Sequence, residues 1–193
     1  MWIVGLDWDD ELSTELSQKS WQWFNDIPSL TTVRFPRCLS PRSDVEKREL
    51  HVFADASQEA YGAVVYSVNT YSNGEVSSIL IASKSRVAPV KSVSIPRMEL
   101  LAVVLGVKLL LAVTQALKAP ITRSILWSDS MNVLFWIKSF SRNFKPFVGN
   151  RISFIQEHTD PSQWFHVPTG LNPADAVSTG AKTDLAKGSY LSC

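Results

Sequence analysis

Four carboxylates in this 193-residue chain lie inside otherwise apolar stretches, where a strand should end or a helix begin. Asp55 lies in Leu50-His51-Val52-Phe53-Ala54-Asp55-Ala56-Ser57, and Glu99 in Ile95-Pro96-Arg97-Met98-Glu99-Leu100-Leu101-Ala102. Asp129 follows Ser124-Ile125-Leu126-Trp127-Ser128, and Asp175 stands in Asn172-Pro173-Ala174-Asp175-Ala176. An acid on a buried element is costly unless it is paired or bound to a cation. Four of them suggest a shared cation site. One chemistry open to such a site is in-line attack of water on a phosphodiester, in which two cations about 4 Å apart bind the attacking and leaving oxygens. Mg²⁺ takes oxygen ligands and keeps several waters, so a few carboxylates suffice and neither cysteine nor histidine is required.

Each acid taken alone has a plainer reading. Asp55 could form a turn before Ala56-Ser57, and Glu99 could be a favourable charge at a helix N-terminus. Asp129 could cap the helix beginning at Ser130, and Asp175 could be an early-helix acid. The set, in this order, is what points to metal. Gly62 reads as structural, allowing close approach beside the first strand.

The elements that must position these residues are legible in outline. Leu50–Ala56 is a short apolar run, Tyr61–Val68 follows, and Asn73-Gly74 signals a type I′ hairpin into Val76–Ala82. These make three antiparallel strands. Ser83-Lys84-Ser85-Arg86-Val87-Ala88-Pro89 reads as a loop. The longest helix is expected from about Pro96 to Leu117, with Met98, Leu101, Ala102, Leu105, Leu109 and Ala112 as its buried face. Ser124–Ser128 reads as a buried strand, Ser130–Phe140 and Phe147–His158 as helices, Trp164–Val167 as a last strand, and a short helix follows from Pro173. The order βββαβααβα implies an α/β fold, one mixed sheet with helices packed on its faces.

Residues 1–45 have a different character. Four of the seven tryptophans fall in the first 30 residues, around the acidic run Asp7-Trp8-Asp9-Asp10. Leu12, Leu16, Trp23 and Phe24 suggest an amphipathic helix ending before Pro28. Thr31 to Arg37 could be a short strand, and Pro36 and Pro41 bracket a connector. We read 1–45 as a tether that needs something to pack against and 46–193 as the folded domain.

Composition narrows the function classes. With 19 Lys+Arg against 18 Asp+Glu the net charge is +1, so binding to nucleic acid would rest on a local basic stripe. Two cysteines, Cys38 and Cys193, lie far apart, which argues against a disulfide framework and for a reducing compartment. The most apolar stretch, Leu100 to Val113, is interrupted by Lys108 and reads as a core helix. No basic segment followed by an apolar run opens the chain, so we expect no signal peptide and an intracellular location, cytoplasm or nucleus.

Phe53-Ala54-Asp55-Ala56-Ser57, Met98-Glu99-Leu100-Leu101-Ala102, Trp127-Ser128-Asp129-Ser130 and Asn172-Pro173-Ala174-Asp175 together resemble the ribonuclease H domain of retroelement reverse transcriptases. The BEL/Pao class of long-terminal-repeat retrotransposons is the nearer resemblance. Its polyproteins show runs similar to Ala82–Pro89, to Ile95–Leu100, and to His166-Val167-Pro168 followed by Asn172–Asp175. The resemblance covers about residues 46–180. Leu6–Asp10 and Phe35-Pro36-Arg37-Cys38-Leu39 are similar to the connection segment that precedes the domain.

The resemblance implies a ribonuclease H-like five-stranded mixed sheet. It also implies metal-dependent cleavage of the RNA strand of an RNA–DNA hybrid within a reverse-transcriptase polyprotein, beside a polymerase domain. Asp55, Glu99, Asp129 and Asp175 would then be catalytic and hold two Mg²⁺ ions, with Mn²⁺ able to substitute. Asp55 would bridge both ions from mid-sheet, and Glu99 would point from the first turn of the long helix. Lys84, Arg86 and Arg97, flanking Glu99, are expected to grip phosphates of the hybrid.

Some features fit less well. Related elements read Asn-Pro-Ala-Asp-Leu-Ala-Ser-Arg-Gly, whereas here Ala176-Val177-Ser178-Thr179-Gly180 follows Asp175, without the arginine. The short loop Thr169-Gly170-Leu171-Asn172 holds no histidine, and His166 reads as a strand residue. Trp127, Trp136 and Trp164 read as core. The alternative function is an inactive ribonuclease H-like scaffold or binding module. An aspartic peptidase would need Asp-Thr-Gly or Asp-Ser-Gly, and the sequence has neither.

Overall fold

The computed structural model describes residues 5, 7, 9–32, 38–40 and 42–180. Its strands are β1 (Val45–Ala56), β2 (Ala60–Tyr71), β3 (Val76–Val87), β4 (Arg123–Ser128) and β5 (Trp164–His166). Its helices are α1 (Thr14–Asp26), α2 (Ile95–Ala116), α3 (Met131–Ile137), α4 (Pro146–His158) and α5 (Asp175–Ser178), with short 3-10 turns between. The strands form one five-stranded sheet in the order β3-β2-β1-β4-β5. β1, β2 and β3 are an antiparallel meander, while β4 runs parallel to β1 and β5 parallel to β4. The expected mixed five-stranded sheet is therefore what the chain forms.

Alternation along β1 organises the molecule. Leu50, Val52 and Ala54 face α2 and are buried, as are Ala63 and Val65 of β2. On the helix they meet Leu100, Val103, Val107 and Leu110. Burying a side chain of this size contributes about 1.5–3 kcal/mol, so this layer dominates the stability of the fold. Trp164 belongs to the same core, and Trp136 packs at its margin. Trp127 instead lies on the other face of the sheet, stacked on Phe53 with centroids 5.9 Å apart.

Several expectations change at the element boundaries. β1 and β2 extend beyond their apolar runs because the ladder, not burial, sets their length; Val45 still pairs with Tyr71. Ser83–Val87, expected as a loop, continues β3 by pairing with Val64–Ala60. β3 is an edge strand, and charged residues such as Lys84 and Arg86 are compatible with a solvated edge. The hairpin is not type I′. Among the described residues no non-glycine has a positive φ, so Asn73 does not supply one; within this turn Gly74 alone does, at +82°. The Gly74 N–H donates to Tyr71 O and the Tyr71 N–H to Glu75 O, closing a three-residue loop with its left-handed residue last.

α2 is apolar nearly all round, so periodicity found only part of its buried arc: Met98, Ala102 and Leu105 are buried as expected. Leu100, Val103, Val107, Leu110 and Val113 are buried, Leu101 and Leu109 only partly, and Ala112 is exposed. Among the described residues α2 is the one helix long and apolar enough to cross a membrane, and here it packs on the sheet as a core helix. The helix begins at Ile95, which places Glu99 at its fifth position, past the first turn. α3 is shorter than expected, ending at Ile137 before a 3-10 turn over Ser141–Asn143.

α1 forms as expected, capped by Ser13 and ending before Pro28, but none of its residues is buried. Trp21, Trp23 and Phe24 remain exposed. Thr31 and Thr32 end a 3-10 turn rather than start a strand. Residues 33–37, together with Trp2, Trp8, Pro41 and Cys193, lie outside the described residues.

Candidate active site

β1 and β4 are hydrogen-bonded neighbours whose register pairs Ala54 with Ser128. Asp55 and Asp129 each come one residue later, at the same end of the sheet. Two parallel strands with one register place two acids side by side, and nothing in the local sequence of either strand does this alone. Asp55 is 8% exposed, a carboxylate buried at the head of a core strand. Glu99 and Asp129 are partly buried and Asp175 is exposed.

Two serines orient this group. The Ser178 hydroxyl of α5 donates to Asp55 Oδ2. The Ser130 hydroxyl donates to Glu99 Oε2 at 2.5 Å and accepts the Val133 N–H at 3.3 Å, capping α3. Ser130, not Asp129, is thus the N-cap, which removes the capping role that Asp129 could have had. Neither serine was singled out from the sequence. The only signal was position: Ser130 directly follows Asp129, and Ser178 lies one helical turn beyond Asp175.

Asn172 ties the last acid to the sheet. Its Nδ2 donates to Ala54 O at 3.2 Å, and its Oδ1 accepts the Ala174 N–H at 3.1 Å. α5 is held down further by the Ser57 hydroxyl, which donates to Ser178 O at 2.7 Å. Gly62, the β2 partner of Asp55, leaves room for α5. A Cβ there would stand 3.0 Å from Val177 Cβ and 3.2 Å from Lys84 O, so the close approach expected of this glycine is to α5 and the β3 backbone.

The electrostatics link all four acids. Burial raises the pKa of Asp55, the Ser178 hydrogen bond opposes the rise, and the charges of Asp129 and Asp175 add to it. Burial likewise raises Glu99, against its bond from Ser130 and with the charges of Asp129 and Asp55. Such a cluster favours whatever neutralises it, a proton or a cation. The donor set is all oxygen, the chemistry that Mg²⁺ prefers. Among the described residues, however, no three His, Cys, Asp or Glu side chains are gathered closely enough to hold a metal ion as they stand. The donors fit in kind, and a cation would have to draw them together.

The basic residues do not form one group around Glu99. Lys84 and Arg86 lie on edge strand β3, opposite Ala63 and Tyr61 of β2. Arg86 lines a cleft beside α2 and α4. Arg97 is exposed and its guanidinium sits 5.1 Å from the centroid of Phe147 on α4. His166 is an exposed residue of β5, opposite Ser128.

A protein-family model described as the Pao retrotransposon-like RNaseH-like domain matches residues 1–130, a span that includes Asp55, Glu99 and Asp129 and stops short of Asp175. No curated protein is similar to the chain at a significant level. Among solved structures, the N-terminal RNase H domain of a Mycobacterium tuberculosis protein is 16% identical, with 74% of this chain and 99% of that one covered and a TM-score of 0.44. LC11-RNase H1, solved in complex with an RNA/DNA hybrid, is 15% identical over 72% of this chain and 99% of its own, with a TM-score of 0.45. The foamy viral protease-reverse transcriptase, solved with double-stranded DNA, is 17% identical over 82% of this chain and 27% of its own, with a TM-score of 0.40. These structural likenesses are loose, and the assignment rests on the family match. The chain belongs to the Pao retrotransposon-like RNase H-like domain family.

Proposed function

We propose that this domain hydrolyses the RNA strand of an RNA–DNA hybrid in a metal-dependent endonuclease reaction, as part of a retrotransposon reverse-transcriptase polyprotein. The observation that carries this reading is the abreast placement of Asp55 and Asp129 on neighbouring parallel strands, with Glu99 and Asp175 in electrostatic range of Asp55. Two Mg²⁺ ions, or Mn²⁺ in their place, would supply an activated water and neutralise the charge on the leaving oxygen.

The chain's own residues supply the rest. Asp55, Glu99, Asp129 and Asp175 offer carboxylate oxygens from four separate elements. Ser178 and Ser130 orient Asp55 and Glu99 through their hydroxyls. Asn172 and Ser57 fasten α5, and with it Asp175, to the end of β1. Lys84, Arg86 and Arg97 are proposed to meet phosphates of the hybrid, whose RNA strand is told from DNA by its 2′-hydroxyls. A reverse-transcriptase polymerase domain is the proposed partner in the polyprotein.

Two observations favour a second reading, an inactive ribonuclease H-like binding module. Asp55 Oδ2 is engaged by Ser178, and no three described carboxylates meet as metal ligands. A cleavage assay on a labelled RNA–DNA hybrid, with Mg²⁺ and with Mn²⁺, separates the two. Cleavage of the RNA strand that Asp55→Asn abolishes supports the enzyme. Hybrid binding without cleavage under either metal supports the module.

A further inference from the structure

Away from the carboxylates, a cleft of about 380 Å³ opens between α2 and α4 and reaches the ends of β2 and β3. Its apolar lining includes Tyr61, Leu101, Val104 and Phe154; Lys108 and Arg151 are its own cations, and Arg86 of edge strand β3 is the one it shares with the proposed hybrid contact. Lys108 and Arg151 are matched with aromatic rings rather than acids. Lys108 Nζ lies 5.5 Å from the centroid of Phe154. The guanidinium of Arg151 lies 3.7 Å from the centroid of Phe147, the same ring that Arg97 approaches from 5.1 Å. None of these four basic residues takes part in an ion pair among the described residues. Arg151 is partly desolvated, and burial lowers its pKa. Arg151 also donates from Nη1 to Phe147 O at 2.7 Å and Lys108 is exposed to solvent, so their charge is solvated but not neutralised, which favours an anionic partner.

The lining distinguishes the kind of anion. A phosphodiester backbone needs charge and hydrogen-bond donors but no floor of leucine, valine and phenylalanine. A floor of that kind suits a large apolar side chain, with flanking acids reaching the cationic rim. We propose that the α2–α4 cleft is a docking site for an acidic peptide segment carrying a single aromatic anchor, of the type this chain itself carries at Asp7-Trp8-Asp9-Asp10-Glu11. Asp9 and Glu11 are exposed, and Asp10, also exposed, accepts the Asp7 N–H on Oδ2 at 2.7 Å, so a segment of this composition presents acids to a basic surface.

The probe is a fluorescent peptide with the sequence of residues 5–13, titrated by anisotropy into the full chain carrying Trp8→Ala, so that the peptide is the one copy of this tryptophan-bearing sequence in the assay. Saturable binding is expected, weakening as salt is added. Lys108 is exposed, so Lys108→Glu should leave the melting temperature in place while reducing peptide affinity about tenfold or more. A peptide with alanine at the position of Trp8 should lose a comparable factor, and one with asparagines at Asp9 and Asp10 should also bind more weakly. Peptide affinity that Lys108→Glu leaves unchanged, or no binding at all, overturns the proposal. So does an RNA–DNA hybrid that displaces the peptide and itself loses affinity in Lys108→Glu, since the cleft would then belong to nucleic acid.

Discussion

Asp55 and Asp129 stand abreast at one end of the sheet because β1 and β4 run parallel with Ala54 opposite Ser128. Each carboxylate therefore meets the other's charge, and Asp55 does so from a buried position. A charged pair of this kind is expensive to hold for the sake of the fold. Asp55→Asn and Asp129→Asn are each expected to abolish cleavage of a labelled RNA–DNA hybrid. In EDTA their melting temperatures should hold or rise, because like-charge repulsion is relieved and the Ser178 bond can still reach an amide oxygen. A clear fall in melting temperature for both would assign the carboxylates to structure.

The same shifts set a pH dependence. Asp55 and Glu99 have raised pKa values, with burial the main cause. Each holds its proton more tightly folded than unfolded, so its contribution to stability is full below the ordinary carboxylate range. That contribution is lost as pH climbs through the raised folded value. Denaturant titrations in EDTA should show it, and Asp55→Asn with Glu99→Gln should flatten the decline. An equally steep decline in the double variant would place the pH sensitivity elsewhere.

Gly62 is expected to matter to the site more than to the fold. An added Cβ meets Val177 at 3.0 Å, so Gly62→Ala should push α5, with Asp175 and Ser178, away from Asp55. We expect a loss of about 1–3 kcal/mol in stability, as for overpacking, together with a severe loss of cleavage. Gly62→Ala with Val177→Ala should recover part of both. Absence of any coupling between the two substitutions in a double-mutant cycle would contradict the packing argument.

Ser130 serves α3 and Glu99 at once, so its truncation should cost more than a helix cap. Ser130→Ala is expected to destabilise by about 2–3 kcal/mol, the sum of a lost cap and a lost hydrogen bond to a charged group. Ser130→Thr keeps both functions and should stay near the parent. Chemical denaturation of the two variants measures this. A cost of about 0.5 kcal/mol or less for Ser130→Ala would mean that the bond to Glu99 contributes nothing.

Lys84 and Arg86 offer a test of substrate grip. Replacing both with alanine should weaken hybrid binding and flatten its salt dependence by roughly one to two units of slope, one for each phosphate no longer neutralised. Hybrid affinity and slope that remain at parent values would show that these residues serve only as charges on an edge strand.

What the sequence determined by itself was the local pattern. Alternation at Leu50–Ala56, the apolar run of α2 and the Asn73-Gly74 turn signal are written in nearest-neighbour chemistry, and they sufficed for the order of elements and for the mixed sheet. The four acids were conspicuous because each interrupts apolar residues. Local pattern did not fix the length of β3, whose polar end is held by its ladder to β2 rather than by burial. It also placed only half of the expected buried face of α2, Met98, Ala102 and Leu105, since a helix apolar on most sides carries little periodic signal.

Only the tertiary structure decided which side chains meet. Ser178 reaches Asp55 across 123 positions of sequence, Ser130 reaches Glu99 across 31, and Gly62 opens the space that α5 needs. Lys108, Arg151 and Arg86 share a cleft although they lie on three different elements. Contacts of this kind depend on register and packing between distant segments. A hydroxyl or a guanidinium has the same local sequence signature whether it faces solvent or a buried carboxylate, so its role appears only once the sheet has aligned its neighbours.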